Sequence, residues 1–106
     1  MDRSYALLLL LVRLKQVSSA ATALRIFEGA LRELWPHLEF SLNGEKTEAE
    51  VAGESRFPIA SGRRRYGDLI VRPGGETPTA TDRALLYNAV ALLVLLLDEV
   101  DLNEEL

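Results

Sequence analysis

The sequence predicts a single α+β domain in which helices cover one face of a small antiparallel sheet. Apolar residues recur with helical spacing at both ends of the chain, and two hairpin patterns lie between them. The chain has 106 residues, 48% of them hydrophobic, which suffices for one modest core. We therefore expect residues 1–106 to form one domain, composed of a helical hairpin at 1–35, two β-hairpins at 37–72 and a C-terminal helix at 79–101.

The first helix is predicted at residues 2–16. The run from Leu7 to Leu11 consists of strong helix formers, and the residues from Arg13 to Gln16 extend it as a helix rather than a strand. Because its apolar residues cover more than one face, a single neighbouring element cannot bury all of them.

A second helix is predicted at 20–35, with Ser18 or Ser19 as its N-cap and Pro36 as its stop. Its apolar residues share one face: Ala20, Ala23, Leu24, Phe27, Leu31, Leu34 and Trp35. We expect the aromatic residues of this face to lie in the core.

The Asn43-Gly44 pair predicts the first hairpin, because a type I′ turn needs positive φ at both central residues. The register that follows places Leu38 and Phe40 on the core face. The second strand of this hairpin would run from Glu45 to Ala49.

The second hairpin is predicted from arms at Arg56–Ala60 and Tyr66–Arg72 around the loop Ser61–Arg65. Pro58 cannot donate to a strand ladder, so its strand should lie at an edge or carry a bulge. The residues expected to face the core are Phe57, Ile59, Gly67, Leu69 and Val71.

The last helix is predicted from about residue 80 to 100. Thr79 can cap it, and Asp82 stands at the position of a capping-box partner. The stretch from Ala89 to Leu97 is apolar all round, so both of its sides should be covered. The sheet can cover one side, and a helix of this chain or of a second copy can cover the other.

Composition excludes several classes of function. The net charge of −4 argues against a nucleic-acid partner. The absence of cysteine excludes disulfides, thiolate metal sites, a thiol nucleophile and a covalently attached bilin. No apolar run reaches the roughly 20 residues of a membrane span, so we expect a cytoplasmic protein. Scarce thermolabile residues suggest a thermophilic source, although a GC-rich genome would give the same bias.

No residue pattern indicates catalysis or metal binding. His37 is the only histidine, and no serine or acid stands at a spacing that indicates a catalytic triad. The glutamates at positions 45, 48, 50 and 54 are expected to solvate an exposed strand face rather than to share a proton. We therefore expect no enzyme activity, no catalytic residue, no cofactor and no metal ion.

Residues 56–97 resemble the closing half of a GAF-type sensory domain. The family pattern is a proline-bearing strand, a glycine turn, a strand with glycine before alternating apolar residues, a Thr-x-x-Asp helix start and an apolar helix. The matching segments here are Phe57-Pro58-Ile59, Gly62, Tyr66 to Val71, Thr79 to Asp82, and Ala89 to Leu97.

The resemblance implies a four-stranded antiparallel sheet of order 2-1-4-3, with two N-terminal helices and one long C-terminal helix on one face. It also implies a regulatory module of bacterial signal transduction. The chain departs from the family between Glu45 and Arg56, where GAF domains carry a longer segment that roofs their ligand pocket. We therefore expect a shortened form without a small-molecule ligand.

GAF domains commonly dimerise through their first and last helices, so the resemblance also implies a homodimer. The expected interface consists of Leu7, Leu8, Leu11, Leu86, Val90, Leu93 and Leu97. Whether the terminal helices pair within one chain or between two stays open.

A second surface, the arginines Arg63, Arg64 and Arg65 at the hairpin tip, is a candidate contact for an acidic protein partner, with a solvated turn as the favoured alternative. A protein partner or a fused output domain would receive the signal from the module. The alternative function is a free-standing adaptor or scaffold that binds another protein through the exposed face of the sheet.

Overall fold

Three helices and a three-stranded antiparallel sheet make up the part of the chain that the computed structural model describes, residues 3–43, 54–75 and 77–105. This confirms the predicted α+β class. The elements, in chain order, are α1 (Arg3–Leu14), α2 (Ala20–Leu34), β1 (Leu38–Asn43), β2 (Ser55–Ala60), β3 (Arg65–Pro73) and α3 (Ala80–Glu105).

The strand order in the sheet is β1-β3-β2. Both pairs are antiparallel, with Phe40 opposite Val71 and Phe57 opposite Leu69. These three strands stand in the relative order that the GAF resemblance implies for its first, fourth and third strands. The predicted second strand, Glu45–Ala49, and Gly44 of the predicted turn lie outside the described residues.

Strand β2 carries both features that its proline predicts. It lies at one edge of the described sheet, and its register with β3 shifts between Ile59 and Ala60. Gly67 pairs with Ile59 at this irregularity and has a φ of 143°, which glycine adopts without the steric cost of a side chain. The exposed Pro58 therefore lies beside a bulge on an edge strand.

The helices form two layers on one side of the sheet. Helix α2 packs on β1 and α3 packs on β2, while α1 packs on both of these helices. The terminal helices therefore contact each other within the chain, and their pairing between two copies stays a prediction. Helix α3 also runs to Glu105, beyond its predicted end near residue 100.

The core lies between the sheet and helices α2 and α3, and continues between these two helices and α1. Phe27, Leu31, Leu69, Val71, Leu86, Leu93 and Leu97 have no exposed surface. Trp35, Phe40 and Phe57 are buried as predicted. None of the helices in the described ranges combines the length and the apolar character that crossing a bilayer requires.

Candidate functional site

The residues predicted to form a dimer interface lie mostly inside the chain's own core. Leu7 and Leu11 of α1 are buried, as are the four α3 residues of the set, Leu86, Val90, Leu93 and Leu97. Leu8 is the one member with a largely exposed side chain, at 55%. A surface for a second copy therefore has to be sought on the opposite sides of the same two helices.

Those opposite sides carry exposed apolar residues, which we call the apolar face. Tyr5, Leu8, Leu9 and Val12 are each exposed by about half, and their i, i+3, i+4, i+7 spacing places them on one side of α1. On α3, Leu92 and Leu95 are exposed by 45% and 65%. Both sides of α1 are thus apolar, one inside the chain and one outside it.

A groove of about 360 Å³ joins the two helices of the apolar face. Leu8 and Leu11 line it from α1, and Leu85 and Leu92 line it from α3. The side chain of Asn88 also lines the groove. The apolar residues of α1 and α3 therefore form one continuous surface.

The start of α3 is anchored by the carboxylate of Asp82. The Asp82 backbone N–H donates to Thr79 Oγ1 at 3.0 Å, and the Thr79 N–H donates to Asp82 Oδ2 at 3.1 Å, which completes the predicted capping box. Asp82 Oδ1 also accepts a hydrogen bond from Trp35 Nε1 at 3.0 Å and pairs with Arg3 Nη1 at 3.3 Å. One carboxylate thus ties together the ends of all three helices.

Arg3 strengthens this junction in two further ways. Its guanidinium lies 5.1 Å from the centre of the Trp35 ring, and its Nε donates to the Leu34 carbonyl at 3.0 Å. Burial alone would raise the pKa of Asp82, but the hydrogen bonds from Trp35 and Thr79 and the charge of Arg3 outweigh burial and hold this pKa below its usual value.

Near the other end of α3, the tip of the β2–β3 hairpin grips the helix through two arginines. Arg63 Nη1 lies 3.0 Å from Asp101 Oδ2, and Arg64 Nη1 lies 2.6 Å from Asp101 Oδ1. Asp101 itself is only 7% exposed. Two of the three arginines predicted to contact a partner therefore hold a carboxylate of their own chain.

A second carboxylate, that of Asp98, also binds the hairpin. We call the contacts of Asp98 and Asp101 with the hairpin the clamp. Asp98 Oδ1 accepts hydrogen bonds from Ser61 Oγ at 3.0 Å and from the Tyr66 hydroxyl at 2.5 Å. The pKa of Tyr66 is raised to about 12, mainly by burial. The hydrogen bond to Asp98 and the negative charges of Asp98 and Asp101 also raise this pKa, and the positive charge of Arg64 lowers it. The phenol therefore stays protonated and donates to Asp98 over the whole neutral range.

The raised pKa of Tyr66 predicts a loss of stability in alkali. An unfolded tyrosine ionises near pH 10, so the stabilising contribution is complete below that pH and disappears as pH rises toward the folded pKa of about 12. The urea midpoint of the parent should fall more steeply from pH 9.5 to 11.5 than that of Tyr66→Phe, which has no phenol to ionise. Equal slopes for the two proteins would contradict the assignment.

The third arginine, Arg65, also has an ion pair within the chain, and the sheet face that points away from the helices is partly buried. Arg65 pairs with Asp68 at 2.5 Å. Asp68 and Ile70 of the central strand β3 alternate with the core-facing Leu69 and Val71, yet both are buried. The face that an adaptor would use is therefore less open at its centre than the sequence predicts.

The remaining candidates from the sequence do not form a chemical site within the described ranges. His37 is exposed, and no three acidic or histidine side chains converge there as a metal would require. The side chain of Glu54 is buried, with its carboxylate 3.1 Å from Arg72 and 3.4 Å from Arg56. The other three glutamates of that set lie outside the described residues.

Comparison with known proteins gives no match among family models, curated proteins or solved structures. The resemblance to GAF domains therefore gains no support from relatives and stays a prediction.

Two features were missed by sequence reasoning. The i, i+3, i+4, i+7 spacing of Tyr5, Leu8, Leu9 and Val12 is readable in the sequence, but the apolar residues between them mask it. The clamp had no local signal, because Asp98 and Asp101 lie more than thirty residues from their partners along the chain.

Proposed function

We propose that the chain is a non-catalytic regulatory and dimerisation module, of the kind used in bacterial signal transduction, in which two copies pair through the apolar face. The observation that supports this most directly is the exposure of the six large side chains of the apolar face, which are among eight exposed large apolar residues on α1 and α3. The largest exposed apolar patch of a protein is often a functional site, and a second protein is one of the partners that such a patch binds.

The size of the apolar face favours a second copy as the occupant. From their exposed fractions, the six side chains present on the order of 500–600 Å², at the upper end of what a single-chain protein exposes. A standard interface buries about 800 Å² on each partner. Backbone and small residues around the six can supply the rest, and a two-fold pair needs only this one surface.

The regulatory part of the proposal rests on α3. This helix of 26 residues spans about 39 Å at 1.5 Å per residue. It carries part of the apolar face, while Asp82 anchors its start and the clamp holds Asp98 and Asp101 farther along. A change in how two copies pair would then be passed along α3 as a displacement of a stiff rod.

Leu8→Glu tests the pairing. Leu8 is half exposed, so a charge there should leave the fold intact but would be buried without a partner in the dimer. We expect the dissociation constant measured by sedimentation equilibrium to rise at least 100-fold.

Tyr87→Glu is the matched control. Tyr87 is 68% exposed on the same helix but borders a different groove, beside Pro58 of β2. This variant should dimerise like the parent. A parent protein that sediments as a monomer at high micromolar concentration would refute the proposed function.

A further inference from the structure

The two helices of the apolar face differ in the size of their outward side chains. The exposed apolar residues of α1 are all large, namely Tyr5, Leu8, Leu9 and Val12, and the one small exposed residue, Ser4, lies at the start of the helix. On the stretch of α3 beside α1, the exposed positions of this face are Ala84, Asn88 and Ala91, which are smaller, and Leu92 and Leu95, which are large. The exposed Leu102 lies six residues past Leu96, which is level with the end of α1. The face therefore has a high ridge along α1 and a lower one along α3.

The two ridges run in the same direction. At one end, Arg3 near the start of α1 contacts Asp82 near the start of α3. At the other end, Leu14 and Leu96 line one groove. Between them, Leu8 lies level with Asn88 and Leu92. Positions along α1 and α3 can therefore be matched directly.

Two arrangements allow two copies to stack these faces with two-fold symmetry. With the axis along the helices, α1 of each copy lies on α3 of the other, and all helices run parallel. With the axis across the helices, α1 lies antiparallel on its own counterpart and α3 does the same. The first pairs a high ridge with a low one at both contacts.

The second arrangement places the high ridge of α1 on the α1 ridge of the other copy, and the lower ridge of α3 on the other α3. The distance between packed helix axes is set by the side chains at the contact, at about 8–10 Å. Two large ridges would hold the copies apart and leave a gap between the small residues of the two α3 helices, which loses packing energy.

We propose that two copies pair in parallel, with α1 of each copy packed on α3 of the other. This inference rests on the proposed function, because it takes the second copy as the occupant of the apolar face. It makes Leu9 of one copy a neighbour of Ala91 or Leu95 of the other, and it separates the two Leu9 residues on diagonal helices.

The natural chain has no cysteine, so introduced thiols report on these contacts without background. Leu9→Cys, Ala91→Cys and Leu95→Cys would be prepared separately and shown by sedimentation under reducing conditions to dimerise. Tagged Leu9→Cys would then be mixed with each of the others and oxidised. Cross-linking requires Cα atoms about 4.4–6.8 Å apart.

The parallel arrangement predicts mixed disulfides between position 9 and position 91 or 95, at several times the yield of the position 9 homodimer. Efficient self-cross-linking of Leu9→Cys without mixed products would overturn the parallel arrangement and leave the proposed function standing. A dimer by sedimentation that forms none of these disulfides would overturn it as well. A monomeric parent would remove the proposed function and this inference together.

Discussion

Replacing Leu93 with alanine should lower the free energy of unfolding by about 3 kcal/mol, because the change empties a fully enclosed site. The Leu93 side chain has no exposed surface and lies in the middle of α3, facing the core. The loss combines the transfer energy of the removed carbons with the cost of the cavity left behind. For a domain of this length, we expect the melting temperature to fall by roughly 12–20 °C.

Leu95→Ala is the matched control, two residues away on the same helix. Leu95 is 65% exposed, so its truncation should change the stability of the single chain by no more than about 0.5 kcal/mol. Both variants would be unfolded by urea at low protein concentration, where pairing of copies contributes little. Equal losses from the two substitutions would mean that α3 is not oriented as described.

Asp82→Ala should also lower the free energy of unfolding by about 3 kcal/mol. It removes the acceptor of the capping box, a loss of about 1 kcal/mol, and leaves the Trp35 indole N–H without its partner. Trp35 is only 3% exposed, and an unpaired buried donor costs about 1–3 kcal/mol. The ion pair with Arg3 adds little, because the Arg3 side chain is 45% exposed.

Thr79→Ala provides the comparison for Asp82→Ala. It removes the hydrogen bond from the Asp82 N–H but leaves Trp35 and Arg3 paired, so it should cost only about 1 kcal/mol. Urea unfolding at neutral pH measures both variants. If the two losses were the same, the contact between Asp82 and Trp35 would contribute nothing.

The lowered pKa of Asp82 gives this junction a defined pH dependence. A carboxyl group whose folded pKa lies below its unfolded value stabilises the fold above the unfolded pKa, and the contribution is lost as pH falls through the folded pKa. The stability of the parent should therefore fall more steeply below about pH 4 than that of Asp82→Ala. Parallel curves for the two proteins would contradict the shift.

Local patterns predicted most of the fold correctly. Helical period and the stop at Pro36 placed α2 almost to the residue, although Ser19 at its N-cap makes no side-chain capping hydrogen bond. The capping box at Thr79 and Asp82 has the predicted geometry. Alternation in the second hairpin predicted its core-facing residues, because a strand with one buried face tolerates no slip of register. The presence of Pro58 predicted an edge strand or a bulge, since the missing backbone N–H of proline is tolerated at such positions.

The candidate site was harder to predict, because it depends on which of two apolar faces turns inward. On α1, both sides satisfy the rule that buried helix faces are apolar, so the sequence does not distinguish Leu7 and Leu11 from Tyr5 and Leu9. Only the packing of α1 on α2 and α3 makes the choice. Six of the seven interface residues predicted from the sequence accordingly lie on the side that the fold itself buries, and Leu8 is the exception.

The hairpin tip shows the same dependence on tertiary structure. Three successive arginines in a loop suggest a surface for an acidic partner. The fold brings Asp101 and Asp68 to them, which satisfies much of their charge within the chain. The pairs with Asp101 span 38 and 37 residues and leave no periodic trace in the sequence, whereas Arg65 and Asp68 are near neighbours along the chain.

Pro58 has a consequence for aggregation of the chain through the edge of its sheet. The open edge of a sheet is a template on which further strands can add, and such growth has no natural end. The proline on β2 withholds one of the donors that an added strand would need, and the neighbouring bulge distorts the edge further. Strand-by-strand polymerisation is thereby discouraged on this side of the described sheet, as the proposed closed pair of two copies would require.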